Sequence, residues 1–234
     1  MTLVQSDQVA PIFVINLLIS DLLQFCYMIV EVSEPEHEAI QIVSILFYFF
    51  VLFASVGFMV CIALERYLVI AHPLWYRFRR TIKTSVALCA VVWVQPFVFI
   101  FSFMDQAKMA VVIYLLLPFP LLIFFLVGTL RALSASISVS SDEKRRIVGI
   151  LVLVLFIYTL LFLPIILNIL KLCIYNMYDI SEDILIILSF IFVRLNPLAD
   201  LVLYVFMRKG TIDKLLASVC CCRMDSNDIS SPSV

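Results

Sequence analysis

The chain has 234 residues, of which 64% are hydrophobic and 14% charged, with a formal net charge of −1 and a mean hydropathy of +1.14. A soluble domain of this length could not hide so much apolar surface in one core, so most of the chain belongs in lipid. The near-neutral balance gives no basis for nucleic-acid binding. The seven cysteines (Cys26, Cys61, Cys89, Cys173 and the run Cys220-Cys221-Cys222) show neither a disulfide framework nor a metal-ligand spacing.

In chain order, Met1 is followed by the polar stretch Gln5-Ser6-Asp7-Gln8, unlike a cleavable signal. Six apolar segments follow, at 9–32, 39–70, 82–103, 107–133, 147–173 and 184–207. Each is near or above the ~20 residues that span a bilayer as a helix. The fold class expected is an all-α polytopic membrane helix bundle with six spans. Arg77, Arg79, Arg80 and Lys83 follow the second span, Lys144, Arg145 and Arg146 precede the fifth, and Arg208, Lys209 and Lys214 follow the last. These loops face the cytoplasm, and the loops holding Glu31, Glu34, Glu36, Glu38, Asp179, Glu182 and Asp183 face outside. With six spans, both ends of the chain are cytoplasmic.

Within the spans, polar residues stand out because a charge in lipid is expensive. The first span carries Asn16-Leu17-Leu18-Ile19-Ser20-Asp21, with Asp21 mid-helix. The second is uncharged from Glu38 to Glu65-Arg66-Tyr67, then runs on through Pro73-Leu74. Ser55 lies about three turns outward of Arg66 on that helix. The third span has Trp93, the fourth Pro118 and Pro120, and the fifth Tyr158 and Phe162-Leu163-Pro164. The last reads Arg194-Leu195-Asn196-Pro197-Leu198-Ala199-Asp200-Leu201-Val202-Leu203-Tyr204, with Asn196 and Asp200 on one face.

These residues, in type, spacing and order, resemble helices two to seven of rhodopsin-like G-protein-coupled receptors. Taken singly, Glu65-Arg66 reads as a flank of snorkelling charges and each aromatic as packing; the shared order carries the resemblance. It implies that Arg66, held by Glu65 at rest, meets a heterotrimeric G protein when freed, with Tyr67 and Tyr204 in the same switch. It also implies a structural sodium ion held by Asp21, Ser55, Asn196 and Asp200, a hard-cation set of two carboxylates with hydroxyl and amide oxygens. No other cofactor is expected. The seventh-helix motif fits in two registers, from Asn196-Pro197 or from Asp200 to Tyr204. The second is preferred, with the kink at Pro197, and its Asp form resembles the branch of nucleotide, lipid and proton-sensing receptors. Phe162 then stands at the toggle position with Tyr158 below it.

Some family marks are missing. Gly128 stands where the fifth helix would carry a tyrosine, Gln41 replaces a disulfide cysteine, and the loop 104–108 has no partner cysteine. Residues 1–8 resemble the end of the first intracellular loop, so the first helix is expected to be absent, with poor surface delivery and weak autonomous signalling. The expected division is 1–8 loop remnant, 9–208 receptor bundle, 209–222 amphipathic membrane-surface helix with palmitoylated Cys220, Cys221 and Cys222, and 223–234 disordered tail.

Arg194 lies ~9 Å outward of Asp200, and Glu31 ~15 Å outward of Asp21. The mismatch of ~6 Å is within reach of an extended arginine. An arginine inside an apolar span must find an anion. Either Glu31 and Arg194 form a structural ion pair, or an anionic extracellular ligand competes for Arg194, with Phe162 a further ligand residue. The resemblance puts Arg194 where opsins carry the retinal lysine, so a light receptor is disfavoured, and the near absence of extracellular histidines disfavours a proton sensor.

The function expected is a multi-pass cell-membrane receptor that signals from an extracellular ligand to a G protein, with membrane lipid and receptor dimerisation as further partners. The alternative is a non-signalling fragment that associates with full-length receptors. A six-span transporter or channel is a remote third, for want of an internal repeat. An enzyme is not expected, because His37 and His72 lie in loops and no nucleophile-base pair is evident.

Overall fold

A computed structural model describes residues 10–33, 37–79, 81–102, 107–135, 141–175 and 184–207. Among them the helices are α1 (Ala10–Val32), α2 (Glu38–Ala71), α3 (Pro73–Arg79), α4 (Ile82–Ser102), α5 (Ala107–Leu116), α6 (Pro118–Ala135), α7 (Ser141–Tyr175), α8 (Ile184–Arg194) and α9 (Asn196–Met207). Five helical stretches are long and apolar enough to cross a membrane, six if α8 and α9 count as one bent span. The six apolar segments of the sequence are therefore the helical stretches of the fold. The expected remnant at 1–8, the surface helix and cysteines at 209–222 and the tail at 223–234 lie outside the described residues.

Prolines set the breaks. A residue that precedes proline is pushed out of the α region, and proline fits the first position of a new helix. So α2 ends at Ala71, with His72 as its cap, and α3 begins at Pro73, and the fourth apolar segment, expected as one helix, is interrupted at Leu117 before Pro118. That interruption leaves Met109–Ser134 a continuous span, whereas the break at Leu195 bends the last span by 44°.

Breaking a helix in lipid leaves last-turn carbonyls with no water to bond. Tyrosine hydroxyls from neighbouring helices donate to them. Tyr158 Oη donates to Leu115 O at 2.7 Å, in the last turn of α5, and Tyr48 Oη to Val193 O at 3.4 Å, in the last turn of α8. The sequence expected a kink at Pro197; the carbonyl that Pro197 cannot serve, four residues back, is that of Val193.

The centre of the bundle is α2, against which α1, α4, α6 and α7 all pack. Its buried stretch runs from Tyr48 to Glu65. Two contacts fix neighbours around it. Trp93 Nε1 of α4 donates to Asn16 Oδ1 of α1 at 2.9 Å, and Tyr114 Oη of α5 donates to Phe53 O of α2 at 3.0 Å. The outward faces, with Leu22, Ile29, Phe97, Phe124 and Phe156 exposed, match a lipid surround.

Where α2 meets α4, Gly57 allows a close approach: a Cβ there would come within 2.8 Å of Val92 Cγ1. Small residues at such crossings let membrane helices pack. Gly57→Leu should therefore lower the thermal midpoint of the purified protein, at a cost of about 1–3 kcal/mol. Gly149, in α7 with nothing within 4 Å of its added Cβ, is the contrast. Gly149→Ala should be neutral or stabilising by up to about 1 kcal/mol, because alanine loses less backbone entropy in a helix.

Candidate functional site

Three layers of polar residues lie along the axis of the bundle. The middle layer is built by α1, α2 and α9. Asp21 and Gln24 are one turn apart on α1, Ser55 is on α2, and Asn196 and Asp200 are one turn apart on α9, all buried. Ser55 Oγ donates to Asp200 Oδ2 at 3.0 Å, and Asn196 Nδ2 donates to Ser55 Oγ at 2.9 Å and to the same Asp200 oxygen at 3.2 Å. Asn196 Nδ2 also reaches Gln24 Oε1 at 3.5 Å. The Asp21 carboxyl faces that of Asp200 closely enough to interact with it. Yet both Asp21 oxygens, Asp200 Oδ1, Asn196 Oδ1 and Gln24 Nε2 are buried without a hydrogen-bond partner. Four of these five orphans are oxygens of carboxyl or amide groups, a donor set suited to a hard cation. Among the described residues no three His, Cys, Asp or Glu side chains gather, so the layer offers two carboxylates with neutral oxygens rather than an acidic cage.

The outer layer is the pair formed by Arg194, at the end of α8, and Glu31, near the end of α1. Arg194 Nη2 lies 2.5 Å from Glu31 Oε1, with the two side chains 49% and 34% exposed. Tyr27 stacks on Tyr48 with ring centroids 4.5 Å apart and lies close enough to interact with both charges. Phe162 is fully buried in the core against Tyr158, ring centroids 4.7 Å apart.

The cytoplasmic layer holds Glu65, Arg66 and Tyr67. Glu65 is buried and accepts a hydrogen bond from Tyr76 Oη of α3 at 2.7 Å. Arg66 is half-buried beside it. The Tyr67 ring lies against α6 between Phe124 and Phe125, in space that Gly128 leaves open: a Cβ on Gly128 would come within 2.5 Å of Tyr67 Cε2. Arg146 Nη2 of α7 donates to Met207 O of α9 at 2.7 Å, joining the cytoplasmic ends of those helices. Tyr204 is exposed on α9.

Gln24, Tyr76 and Arg146 were not singled out from the sequence. Gln24 carried a readable signal, an amide one turn from a buried aspartate on the same helix face. Tyr76 lies on a helix of seven residues, too short for periodicity to place its face.

A model of the seven-transmembrane receptors of the rhodopsin family matches residues 4–109, the stretch that carries Asp21, Ser55 and Glu65-Arg66-Tyr67. That stretch is similar to the rhodopsin family of seven-transmembrane receptors. G-protein coupled receptor 68 of Mus musculus is 26% identical over 245 residues, covering 86% of this chain and 65% of that receptor. The Bos taurus receptor of the same name is 30% identical over 92 residues, 36% of this chain and 25% of the relative. Type-1 angiotensin II receptor B of Mus musculus is 32% identical over 92 residues, 36% of this chain and 26% of the relative. The chain thus spans between a quarter and about two thirds of the length of the relatives it matches. It is a multi-pass protein of the cell membrane.

Ser55 is the hinge of the middle layer, since its hydroxyl both donates to Asp200 and accepts from Asn196. Removing it leaves two buried polar partners short of a bond, at about 1–3 kcal/mol. Ser55→Ala should therefore lower the thermal midpoint, and Ser55→Thr, which keeps the hydroxyl, should recover most of the loss.

Proposed function

We propose that the chain transduces an extracellular signal to a heterotrimeric G protein, with Arg66 as the residue the G protein engages and Glu65 as its local anionic partner. The observation that carries this reading is the buried Glu65 beside Arg66 at the cytoplasmic end of the central helix, its carboxylate held by Tyr76 Oη at 2.7 Å. A buried, hydrogen-bonded carboxylate next to an arginine is a preorganised anion, and weakening it favours the state in which the arginine is given to another partner. Tyr67 and Tyr204 belong to the same cytoplasmic layer, and Cys220, Cys221 and Cys222 add a lipid anchor just beyond it.

At the other end, Arg194 takes the anionic part of the extracellular ligand in competition with Glu31. Its half-exposed guanidinium supports this, because a donor that still meets solvent can be reached by a ligand from outside. In the middle layer a sodium ion is held by Asp21, Ser55, Asn196 and Asp200, with Gln24 beside them. The orphaned oxygens there support the fit, and the ion would supply the positive charge that two carboxylates at this depth lack.

G-protein activation in cells at matched surface expression tests the first part. Arg66→Ala should abolish activation and Glu65→Gln should raise the basal level. Tyr76→Phe should raise it less; a hydrogen bond to a charged group is worth about 1.5–3 kcal/mol, which is about tenfold or more in the resting equilibrium. Normal signalling by Arg66→Ala would remove the assignment.

The ion is tested on purified protein by replacing choline chloride with sodium chloride. Sodium should raise the thermal midpoint in a saturable way, because a ligand of the folded state stabilises it by about 2.7 kcal/mol at a hundred times its dissociation constant. Asp21→Asn should lose that response. A midpoint indifferent to sodium in the unsubstituted chain would exclude the ion.

A further inference from the structure

Between α1 and α2 lies an apolar groove of about 440 Å³. Tyr27 and Val30 line it from α1, and Ala39, Ile40, Val43 and Phe47 from α2. Val30, Ile40, Val43 and Phe47 are exposed, so the groove opens to the lipid. Tyr27, which lines the groove, stands one helical turn before Glu31 on α1, and Glu31 pairs with Arg194. The α1 wall of the trough, Tyr27 and Val30, thus ends within a turn of Glu31, which holds the half-exposed Arg194 of α8.

We propose that this end of the bundle binds a single-chain lipid acid, its tail in the groove between α1 and α2 and its anionic head on Arg194 in place of Glu31. The inference rests on the reading of Arg194 as an anion site and names the ligand class that site takes. A small soluble anion would use the arginine and leave the groove without purpose. A neutral lipid would use the groove and leave Arg194 paired with Glu31. An amphiphile with one negative charge satisfies both, since the tail gains from apolar burial and the head from a planar two-pronged donor. The tail would enter from the surrounding lipid, to which the groove opens.

The test is binding of tritiated oleate to the purified chain in nanodiscs of zwitterionic lipid, with oleyl alcohol and hexanoate as competitors. Oleate should compete at least about tenfold better than either, since the alcohol lacks the charge and hexanoate the tail. Arg194→Ala should abolish the preference for oleate over the alcohol, Arg194→Lys should keep part of it, and Glu31→Gln should tighten oleate by removing its rival. Val43→Trp fills the groove at an exposed position, where folding tolerates it, and should reduce oleate to the level of hexanoate while leaving Arg194 untouched. Equal competition by oleate and oleyl alcohol would mean simple partition into lipid and would overturn the proposal. So would equal competition by hexanoate, which would leave a small-anion site, or full oleate affinity in Val43→Trp. No G protein takes part in the assay, so oleate binding of this pattern in a chain that fails to signal keeps the site and removes the transduction reading alone.

Discussion

Two carboxylates on facing helices at mid-membrane depth constrain the rest of the bundle. Asp21 on α1 and Asp200 on α9 are both buried, in surroundings where an uncompensated charge is among the costliest features a helix can carry. Their polar neighbours have to come from the same height, so α1, α2 and α9 must each turn one face toward a common point. For α2 that face is the one with Ser55. At about 100° per residue, Tyr48 and Ile62 fall within about 20° of Ser55 on the helix, and so does Arg66. The rotation that brings Ser55 to Asp200 therefore also carries Tyr48 to the α8 carbonyl at the outer end and turns Arg66 toward the cytoplasmic mouth. One polar layer sets the orientation of the other two.

The prolines and tyrosines act as a second, linked device. Each break frees carbonyls that lipid cannot satisfy, so each has to lie where a hydroxyl from another helix can reach it. Tyr158 serves α5 and Tyr48 serves α8, and both belong to aromatic clusters that hold their rings in place. The breaks are thereby tied to α7 and α2. Tyr158 packs on Phe162 and Phe119, so both rings are part of the support for the interrupted α5–α6 span.

The spans were legible in the sequence because length and hydropathy decide them almost alone: a run of some 20 apolar residues has few alternatives to a helix in lipid. The meeting of Glu31 with Arg194 was also within reach, since rise per residue converts sequence separation into height and both residues could be measured from a buried aspartate. The break at Leu117 was not read, although Pro118 and Pro120 were noted, because a proline inside an apolar run can equally be accommodated, as Pro96 and Pro164 are within α4 and α7. Tyr76 was illegible for another reason. Its partner Glu65 is eleven positions away across the turn at His72, and the direction of that turn is set by Pro73 and by tertiary packing rather than by any periodic pattern.

The break at Leu195 relates the outer layer to the middle one. It makes Arg194 the last residue of α8, where a cation complements the negative end of the helix dipole and the guanidinium leaves the helix toward Glu31. It makes Asn196 the first residue of α9, so that its side chain enters the layer of Ser55 and Asp200. In an unbroken helix Arg194 and Asn196 would share one rigid cylinder about 200° apart, with their directions locked together. Bent by 44°, the segment lets the two point to their separate partners. Any ligand that draws Arg194 from Glu31 thus acts on a helix end whose neighbour across the break is the hydrogen-bonded group of Ser55, Asn196 and Asp200, and that group in turn fixes the face of α2 on which Arg66 stands.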